Sequence, residues 1–339
     1  MNDLLDYKIG VVGAGSWGTA LANLLAEKGF NVTLWVYEKE LCDILFTSRC
    51  NQFYLPDFEL DPGLLYTHDL EQAVKSKQMV LWVTPVKAFR ELFSQGLLFC
   101  GPDTIHASAS KGIENHSLKT VSRIAEEISG GLTGKEFVVL SGPSFAKEVS
   151  RKMPTAVVVA SKDIDKASVV QKIMATPWFR TYTSDDLQGV ELGGALKNVI
   201  AIAAGISDGL GFGHNTRAAL ITRGLAEIIR LGNFYSADPR TFAGLSGIGD
   251  LVLTCTSNLS RNYRVGKEIG QGQKLEEILK NMEMVAEGVD TTKSAFSISA
   301  ANNIKMPIVH EIHKVLFEIK PPLQAVKDLM GRDLTKETV

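Results

Sequence analysis

The stretch Lys8-Ile9-Gly10-Val11-Val12-Gly13-Ala14-Gly15-Ser16-Trp17-Gly18 decides the fold of the N-terminal half of this chain. Its first five residues are typical of a strand, three glycines follow in the pattern Gly-x-Gly-x-x-Gly, and residues 19–28 are typical of a helix. Gly13 allows the tight turn, Gly15 lets a pyrophosphate approach the backbone, and Gly18 lets helix and strand pack closely. Since a helix start also offers free N–H groups to an anion, the stretch predicts a dinucleotide-binding turn.

The rest of the N-terminal half alternates short β-rich runs with helical stretches, the pattern of a parallel sheet covered by helices. The predicted strands are residues 8–12, 31–36, 79–83, 104–107, 137–140, 155–159 and 179–182. Beyond about residue 189 helical periodicity takes over, at residues 215–231, 275–282, 290–301, 308–317 and 323–330. The sequence therefore predicts an α/β protein, with an N-terminal Rossmann-type doubly wound sheet in residues 1–188 and an all-α C-terminal domain in residues 189–339.

Length and charge narrow the class of protein. A chain of 339 residues is long enough for about two domains, each with its own core. The net charge of −2 offers no general attraction to nucleic acid or to an anionic membrane. The N-terminus is acidic where a signal peptide would be basic, and no apolar run approaches the roughly 20 residues that cross a bilayer. We therefore expect a cytoplasmic protein that is not inserted in a membrane.

The cysteines and histidines show no metal-binding pattern. Cys42, Cys50, Cys100 and Cys255 form no Cys-x-x-Cys pair and do not combine with the six histidines at zinc-site spacing, which indicates reduced thiols. His310 and His313 share a face of the helix predicted at residues 308–317. No third ligand is identifiable, so we expect no metal site.

The end of the second predicted strand bears on the choice of dinucleotide. An acidic residue about 20 residues beyond the glycines would bind the 2′-hydroxyl of the adenosine ribose and favour NAD. Here the strand ends in Val36 and Tyr37, with Glu38 and Lys39 just beyond. An aromatic side chain at Tyr37 could cover the adenine or touch a 2′-phosphate, so the sequence leaves NADP and NAD both open.

Lys197 is the most unusual charged residue of the C-terminal half. Together with Asn198 it interrupts residues 193–205, a stretch otherwise free of polar side chains. A helix that is apolar all round is normally buried. The ammonium must therefore reach solvent at the helix edge, find an anionic partner, or lose its proton more readily than a free lysine. The last two alternatives describe a catalytic lysine.

Two further segments follow predicted strands. Lys111 comes just after strand 104–107, and the small-residue turn at residues 141–146 follows strand 137–140. The carboxyl ends of strands are where open α/β sheets bind ligands. Taken singly, Lys111 has the alternative of an ordinary surface lysine, and the turn at residues 141–146 that of an ordinary helix cap.

The C-terminal half adds a carboxylate and a possible phosphate site. Asp250 follows the flexible stretch Leu245–Gly249 and is either a helix N-cap or a partner for Lys197. Ser260, Arg261 and Asn262 offer a capping serine, a guanidinium and an amide at another helix start, which suits a phosphate dianion. A capped surface helix with a solvated arginine is the alternative.

These segments, in this order, resemble the NAD(P)-dependent glycerol-3-phosphate dehydrogenases in their bacterial form, over nearly the whole chain. The resemblance rests on six segments, at residues 12–20, 110–113, 141–146, 193–198, 247–251 and 260–262. It implies reversible reduction of dihydroxyacetone phosphate to sn-glycerol 3-phosphate with NADP(H) or NAD(H), for glycerophospholipid biosynthesis, by a homodimer.

The resemblance also implies roles for individual residues. Lys197 would be the general acid/base, with Lys111, Asp250 and Asn198 as further catalytic residues. The substrate pocket would be formed by Lys111, Gly142, Ser144, Lys197, Asp250, Ser260, Arg261 and Asn262. The dinucleotide would be bound by Gly13, Gly15, Ser16, Trp17, Gly18, Tyr37, Lys111, Ala146, Arg261, Val285 and Glu287. The position of Tyr37 is usually basic in this family, which makes a preference for NADP less secure.

Two other functions compete with this interpretation. One is a dehydrogenase for a different small hydroxy acid, because other two-domain families also join a dinucleotide-binding half to a helical half that carries a lysine. The other is a regulator that senses the dinucleotide without chemistry. This second alternative does not explain the presence of Lys197, Lys111 and Asp250, and no nucleic-acid-binding module is evident.

Overall fold

The computed structural model describes residues 2–131, 137–282, 284–334 and 336–337 of the chain. These residues form two compact units. The first comprises the chain up to Ser110 together with Val121–Leu187, and the second comprises Lys111–Thr120 together with the chain from Gln188 onward. The segment Lys111–Thr120, which follows a strand of the first unit, therefore packs with the second.

The first unit alternates strands and helices. Its strands are β1 (Lys8–Val12), β2 (Asn31–Trp35), β3 (Cys50–Asn51), β4 (Leu55–Glu59), β5 (Leu65–Thr67), β6 (Met79–Trp82), β7 (Ile105–Ser108), β8 (Val138–Ser141), β9 (Thr155–Ala160) and β10 (Phe179–Ser184). Its helices are α1 (Asn2–Leu5), α2 (Ser16–Glu27), α3 (Lys39–Ser48), α4 (Leu70–Val74), α5 (Val86–Leu97), α6 (Val121–Ile128), α7 (Ala146–Ser150) and α8 (Ile164–Met174).

Eight of these strands form one sheet in the order β10-β9-β8-β7-β6-β1-β2-β5. β1 lies inside the sheet, parallel to β2 on one side and to β6 on the other. The pairing is parallel except between β8 and β9, which run antiparallel. Strands buried on both faces read as continuous apolar runs, as β1 and β6 do. The predicted Rossmann-type sheet is confirmed.

Three strands were not predicted from the sequence. β3 and β4 form a separate antiparallel pair, and β5 adds to the edge of the main sheet beside β2. β3 and β5 have two and three residues, too short for a periodic pattern, and β4 contains Pro56, which normally argues against a strand.

The second unit is helical, as predicted. It contains α9 (Leu187–Gly209, whose first residue belongs to the first unit), α10 (His214–Phe234), α11 (Asp250–Thr256), α12 (Arg261–Gly270), α13 (Leu275–Lys280), α14 (Glu287–Ala301), α15 (Pro307–Phe317) and α16 (Pro322–Met330). A 3₁₀ turn at Pro239–Ala243 and a π-helical turn at Leu245–Gly249 connect α10 to α11.

The length of α9 corrects one expectation. Its 23 residues are long and apolar enough, by length and composition, to cross a membrane, whereas we expected no such run. The apolar window of α9 is entirely buried inside the protein. Complete burial explains its composition, because a central helix packed on all sides has no polar face.

Glycines bring α9 and α12 into backbone contact. A Cβ atom on Gly205 would lie 2.1 Å from the carbonyl oxygen of Tyr263, and one on Gly266 would lie 2.1 Å from that of Ile202. Either side chain would force the two helices apart. The contact therefore holds the helix that carries Lys197 against the helix that begins at Arg261.

Candidate functional site

The glycine turn of the first unit, residues 13–18, has the geometry that its sequence predicts. Gly13 adopts a φ of +115°, which side chains rarely allow. A Cβ on Gly18 would lie 1.8 Å from the carbonyl oxygen of Gly13, whereas a Cβ on Gly15 would meet nothing within 4 Å. Gly15 also caps α2 without a side chain. The turn therefore presents open backbone at a helix start and fits the pyrophosphate of a dinucleotide.

A polar network that the sequence did not reveal supports this turn. The side-chain amide of Asn51, which is fully buried, donates to the carbonyl oxygen of Ala14 and to Thr19 Oγ1, both at 2.8 Å. Ser16 Oγ donates to the carbonyl oxygen of Tyr54 at 2.5 Å. No local pattern could have singled out Asn51, since it acts on a turn 37 residues earlier in the chain.

The end of β2 presents an aromatic side chain to solvent. Tyr37 is 70% exposed and makes an edge-to-face contact with Trp35, with 6.0 Å between the ring centroids. The carboxylate of Glu38 accepts a hydrogen bond from Tyr54 Oη at 2.7 Å, so the acidic side chain nearest the strand end already has a partner. Trp17, at the start of α2, is partly buried against the core. These contacts favour neither NAD nor NADP.

At the ends of β7 and β8 small residues form tight turns. Ser110 Oγ donates to the carbonyl oxygen of Thr84 at 2.6 Å. Gly142 adopts a φ of +142°, and Ser144 Oγ donates to its carbonyl oxygen at 3.0 Å. The helix that Ala146 begins has only five residues. A ligand site at this turn would therefore rest on the turn itself, because so short a helix adds little dipole.

The second unit brings Lys111, Lys197 and Asp250 together, and we refer to them as the lysine–aspartate cluster. Lys197 Nζ donates to Asp250 Oδ1 at 2.5 Å, and Lys111 Nζ donates to Asp250 Oδ2 at 2.8 Å. Asp250 is 1% exposed and Lys197 7% exposed. One buried carboxylate thus bridges two ammonium groups, and Lys197 does not reach solvent at a helix edge.

Burial and charge act in opposite directions on this cluster. Burial lowers the pKa of Lys197 to about 8, the charge of Asp250 opposes the shift, and the charge of Lys111 adds to it. Burial would raise the pKa of Asp250, but the charges and hydrogen bonds of the two lysines outweigh it and hold that pKa below its usual value. Asp250 therefore stays ionised at neutral pH, while Lys197 can exchange its proton in that range.

Asp250 is not a helix N-cap. Gly249 occupies the cap position of α11, and Asp250 is the first helical residue. One turn later, Thr254 Oγ1 accepts a hydrogen bond from Lys197 Nζ at 3.0 Å. The sequence did not identify Thr254 as a partner, although its spacing of four residues from Asp250 places both on one helix face.

The start of α12 is tied to the start of α14. Ser260 caps α12 by accepting a hydrogen bond from the backbone N–H of Tyr263 at 3.2 Å. The backbone N–H of Gly288 donates to Asn262 Oδ1 at 2.9 Å. A Cβ on Gly288 would lie 2.7 Å from the carbonyl oxygen of Asn198, so this junction also adjoins α9.

Arg261 and Glu287 bring opposite charges to this junction. Burial lowers the pKa of Arg261, and the nearby carboxylate of Glu287 opposes the shift. Val285 lies just before α14 and is partly exposed. The structure thus brings the segment at residues 260–262, a candidate for the substrate pocket, together with Glu287, a candidate for the dinucleotide site.

The histidines considered for a metal site have other partners. His310 Nε2 is 2.9 Å from Ser299 Oγ, and the ring of His313 stacks on that of Phe296 with 3.8 Å between centroids. Within residues 2–131, 137–282, 284–334 and 336–337, no three His, Cys, Asp or Glu side chains come together as a metal site would require. Cys42, Cys50, Cys100 and Cys255 are free thiols.

Models of one protein family match both halves of the chain. The model for the N-terminus of NAD-dependent glycerol-3-phosphate dehydrogenase matches residues 8–167, and the model for its C-terminus matches residues 186–327. A curated relative from Geobacter metallireducens, named glycerol-3-phosphate dehydrogenase (NAD(P)+), is 54% identical over 329 residues. The match covers 97% of this chain and 98% of the relative.

Solved structures agree with the sequence matches. The crystal structure of glycerol-3-phosphate dehydrogenase from Coxiella burnetii is 38% identical and has a TM-score of 0.92, with 97% of this chain and 100% of that chain covered. The glycerol-3-phosphate dehydrogenase of Saccharomyces cerevisiae is 27% identical, with a TM-score of 0.81 and coverage of 96% and 100%. Both relatives share the fold along nearly their whole length.

Proposed function

The chain belongs to the NAD-dependent glycerol-3-phosphate dehydrogenase family, and we propose that it reduces dihydroxyacetone phosphate to sn-glycerol 3-phosphate in a reversible reaction. It is an oxidoreductase that uses NAD(P). The observation that carries the proposed mechanism is the hydrogen bond of 2.5 Å between the buried Lys197 Nζ and Asp250 Oδ1. Such a lysine can hold a proton and release it near neutral pH.

Reduction of the ketone requires one hydride on carbon and one proton on oxygen. The reduced dinucleotide supplies the hydride when bound. Lys197 donates the proton from Nζ to the ketone oxygen as that oxygen gains negative charge, and in the reverse direction the neutral amine takes the proton back. Positioned general acids of this kind accelerate reactions by about 10²–10⁴-fold when their pKa lies near the working pH.

The partners of Lys197 keep it in the form that the reaction needs. Asp250 stabilises the protonated ammonium in a buried place and, with Thr254 Oγ1, holds Nζ in position. Lys111 adds a second positive charge on the other oxygen of Asp250. That charge favours the developing alkoxide and eases proton release from Lys197. Asn198 is proposed to add a hydrogen bond near the reacting oxygen.

The phosphate end of the substrate is assigned to the start of α12. Arg261 offers a guanidinium, Asn262 an amide, and Ser260 a capped helix start, which together favour a dianion. We assign Gly142 and Ser144 to the same pocket on the basis of the family resemblance. Binding energy at the phosphate can then be used to position the reacting carbon.

The dinucleotide is assigned to the glycine turn and to residues beyond it. The open backbone at Gly15 and the close packing at Gly13 and Gly18 support the pyrophosphate assignment. The further contacts that we propose are Ser16, Trp17, Tyr37, Lys111, Ala146, Arg261, Val285 and Glu287. Initial rates with NADH and with NADPH distinguish the two dinucleotides.

Several broader features belong to the same proposal. We take residues 1–188 as the dinucleotide-binding domain and residues 189–339 as the catalytic domain, with which Lys111–Thr120 of the first range packs. The protein would act in the cytoplasm as a homodimer, without membrane insertion, and supply glycerophospholipid biosynthesis.

The test is the initial rate of NADH and of NADPH oxidation with dihydroxyacetone phosphate. We expect oxidation that depends on this ketone and yields glycerol 3-phosphate. Activity on a 2-keto acid without phosphate, and none on dihydroxyacetone phosphate, would show the rival hydroxy-acid dehydrogenase. Binding of NAD(P)H without oxidation by any phosphorylated triose would show the sensing regulator.

A further inference from the structure

A cavity of about 200 Å³ lies within the second unit, away from the lysine–aspartate cluster. Helices α9, α10, α15 and α16 line it, mostly with aliphatic side chains. An engineered apolar cavity of about 150 Å³ is large enough to bind benzene. The space is partly open to solvent rather than enclosed. The cavity is therefore large enough for a small apolar group.

The lining of the cavity is polarised from one end to the other. Along α10 it begins with Thr216, Ala219 and Leu220 and ends with Arg223, Glu227 and Arg230. Thr216 and Arg230 are 14 positions apart, or about 21 Å along the helix. Along α16 the order is the same, since apolar residues from Pro322 to Met330 come first and Arg332 follows. Apart from the hydroxyl group of Thr216, the start of α10 and most of α16 line one end with aliphatic side chains, and the other end is charged.

The charged end carries more positive than negative charge. Burial raises the pKa of Glu227 to about 7, and the hydrogen bonds from the backbone of Ile308 and Val309 and the charges of Arg230 and Arg332 oppose that shift. Glu227, Arg230 and Arg332 all line this cavity. Glu227 is already engaged, because it accepts hydrogen bonds from the backbone N–H groups of Ile308 and Val309 at 2.7 and 3.1 Å. Arg230 Nε donates to the carbonyl oxygen of Lys305 at 2.7 Å, and Arg223 lies 3.7 Å from the carboxylate of Glu337. The guanidinium groups of Arg230 and Arg332 still outnumber the one carboxylate of Glu227.

Glu311, the other acidic residue in the lining, does not offset this charge. It forms ion pairs with Lys314 and Lys320, which neutralise it. Arg332 is exposed, so the charged end of the cavity reaches solvent. An anionic group could bind there while an attached chain extends toward the aliphatic end.

One buried side chain of the lining has an unsatisfied polar group. Ser207 lines the cavity from α9, is 1% exposed, and its hydroxyl has no hydrogen-bond partner. Buried hydroxyls without a partner are uncommon in native proteins. The lining is therefore not an optimised piece of core.

We propose that this cavity binds an amphiphilic carboxylate, with the carboxylate at Arg230 and Arg332 and the alkyl chain along the aliphatic half of α10 and α16. The site lies on α9, which also carries Lys197, but it is separate from the proposed reaction. It would recognise molecules of the fatty-acid class by charge at one end and by apolar length at the other.

The test is calorimetric titration of the full-length protein with sodium decanoate, without dinucleotide or triose, so that its outcome is independent of the proposed reaction. We expect one decanoate per chain and binding at least tenfold weaker for sodium butyrate, which lacks the chain. Arg332→Gln should weaken decanoate binding at least fivefold. The matched control Lys327→Gln, an exposed position of α16 outside the lining, should leave it unchanged.

A second variant tests the cavity itself. Ala325→Phe fills the space from α16 and should abolish decanoate binding, while the melting temperature shows whether the variant is folded. No binding of decanoate to the native protein, equal binding of butyrate, or equal effects of Arg332→Gln and Lys327→Gln would each overturn the proposal. A change in molecular mass on Ala325→Phe would also overturn it, since a second copy of the chain would then be the occupant.

Discussion

Lys197 Nζ and Asp250 Oδ1 are joined by a hydrogen bond of 2.5 Å, although 53 positions separate the two residues in the chain. The pair is buried, and Lys111 binds the other oxygen of the same carboxylate. An ion pair removed from water depends strongly on both partners. The consequences for catalysis, stability and pH dependence can be measured separately.

Removing the ammonium of Lys197 should abolish turnover without loss of dinucleotide binding. Lys197→Ala deletes the proposed proton donor, and we expect a fall in kcat of about 10²–10⁴-fold. NADH binding, followed by fluorescence, should be unchanged because the glycine turn lies in the first unit. Lys280→Ala, at an exposed position of α13, is the control and should behave as the native protein. Near-normal turnover of Lys197→Ala would remove this residue from the chemistry.

Neutralising Asp250 should cost stability as well as activity. In Asp250→Asn two ammonium groups lose their counter-charge, and breaking a buried ion pair costs about 3–5 kcal/mol. The free energy of unfolding from urea titration measures this loss. Adding Lys197→Met to Asp250→Asn should recover part of it, because one of the unpaired charges is then gone. A double variant as unstable as Asp250→Asn would contradict the ion-pair explanation.

The pH dependence follows from the pKa of Lys197, which burial lowers to about 8. A donor must be protonated, so kcat/KM for ketone reduction should fall as pH rises through about 8. The reverse oxidation needs the neutral amine and should accelerate over the same range. Since the charge of Lys111 lowers this pKa, the residual activity of Lys111→Met should show the inflection at higher pH. Profiles that are flat between pH 7 and 9 in both directions would argue against Lys197 as the titrating group.

Arg261 should act on the phosphate of the substrate. Hydrogen bonds to charged groups contribute about 1.5–3 kcal/mol, so Arg261→Ala should raise KM for dihydroxyacetone phosphate by about 10- to 100-fold. The preference for dihydroxyacetone phosphate over dihydroxyacetone should fall with it. Arg264, one turn later on α12 and exposed, offers the matched control Arg264→Ala. Equal effects of the two variants would mean that general positive charge, rather than a specific contact, attracts the substrate.

Two glycines of the first unit should respond differently to alanine. A Cβ at Gly15 meets nothing within 4 Å, so Gly15→Ala should keep the native melting temperature but weaken NADH binding, since the methyl group occupies the space of the pyrophosphate. A Cβ at Gly18 would lie 1.8 Å from the carbonyl oxygen of Gly13, so Gly18→Ala should lower the melting temperature as well. Calorimetry and NADH titration separate the two effects. Tight NADH binding by Gly15→Ala would place the pyrophosphate elsewhere.

The sequence predicted those parts of the structure that depend on local patterns. The strand, glycine turn and helix at residues 8–28 follow one another without interruption and are recognisable from sequence. The helical spacing of apolar residues in α10 is recognisable in the same way. Lys197 stood out because it interrupts an apolar helix. Its proposed partner Asp250 was identified as a candidate, but the helix-cap alternative could not be excluded until the carboxylate was seen between two lysines.

Other features depend on contacts between distant residues and carry no local signal. Asn51 supports the glycine turn from a strand of only two residues. Thr254 binds Lys197 across 57 positions, and Asn262 binds the backbone at Gly288 across 26. Such pairings are decided by tertiary packing, which periodicity and residue propensity do not encode. Residue type alone therefore suggested Asn262 and the charged members of the second-unit site, but neither Thr254 nor the contact of Asn262 with Gly288.

The glycine contact between α9 and α12 has a consequence for substrate selection. With Gly205 and Gly266 each packed against the backbone of the other helix, the two helices cannot slide or separate without losing that contact. The spacing between the backbone at Lys197 and the start of α12 at Arg261 is then fixed by this contact, while Asp250 and Thr254 hold the ammonium of Lys197. The two helices would then select substrates by the distance between the ketone and the phosphate. A phosphorylated ketone with more carbon atoms between these groups would be rejected because its ketone is misaligned with Lys197, rather than by a steric clash.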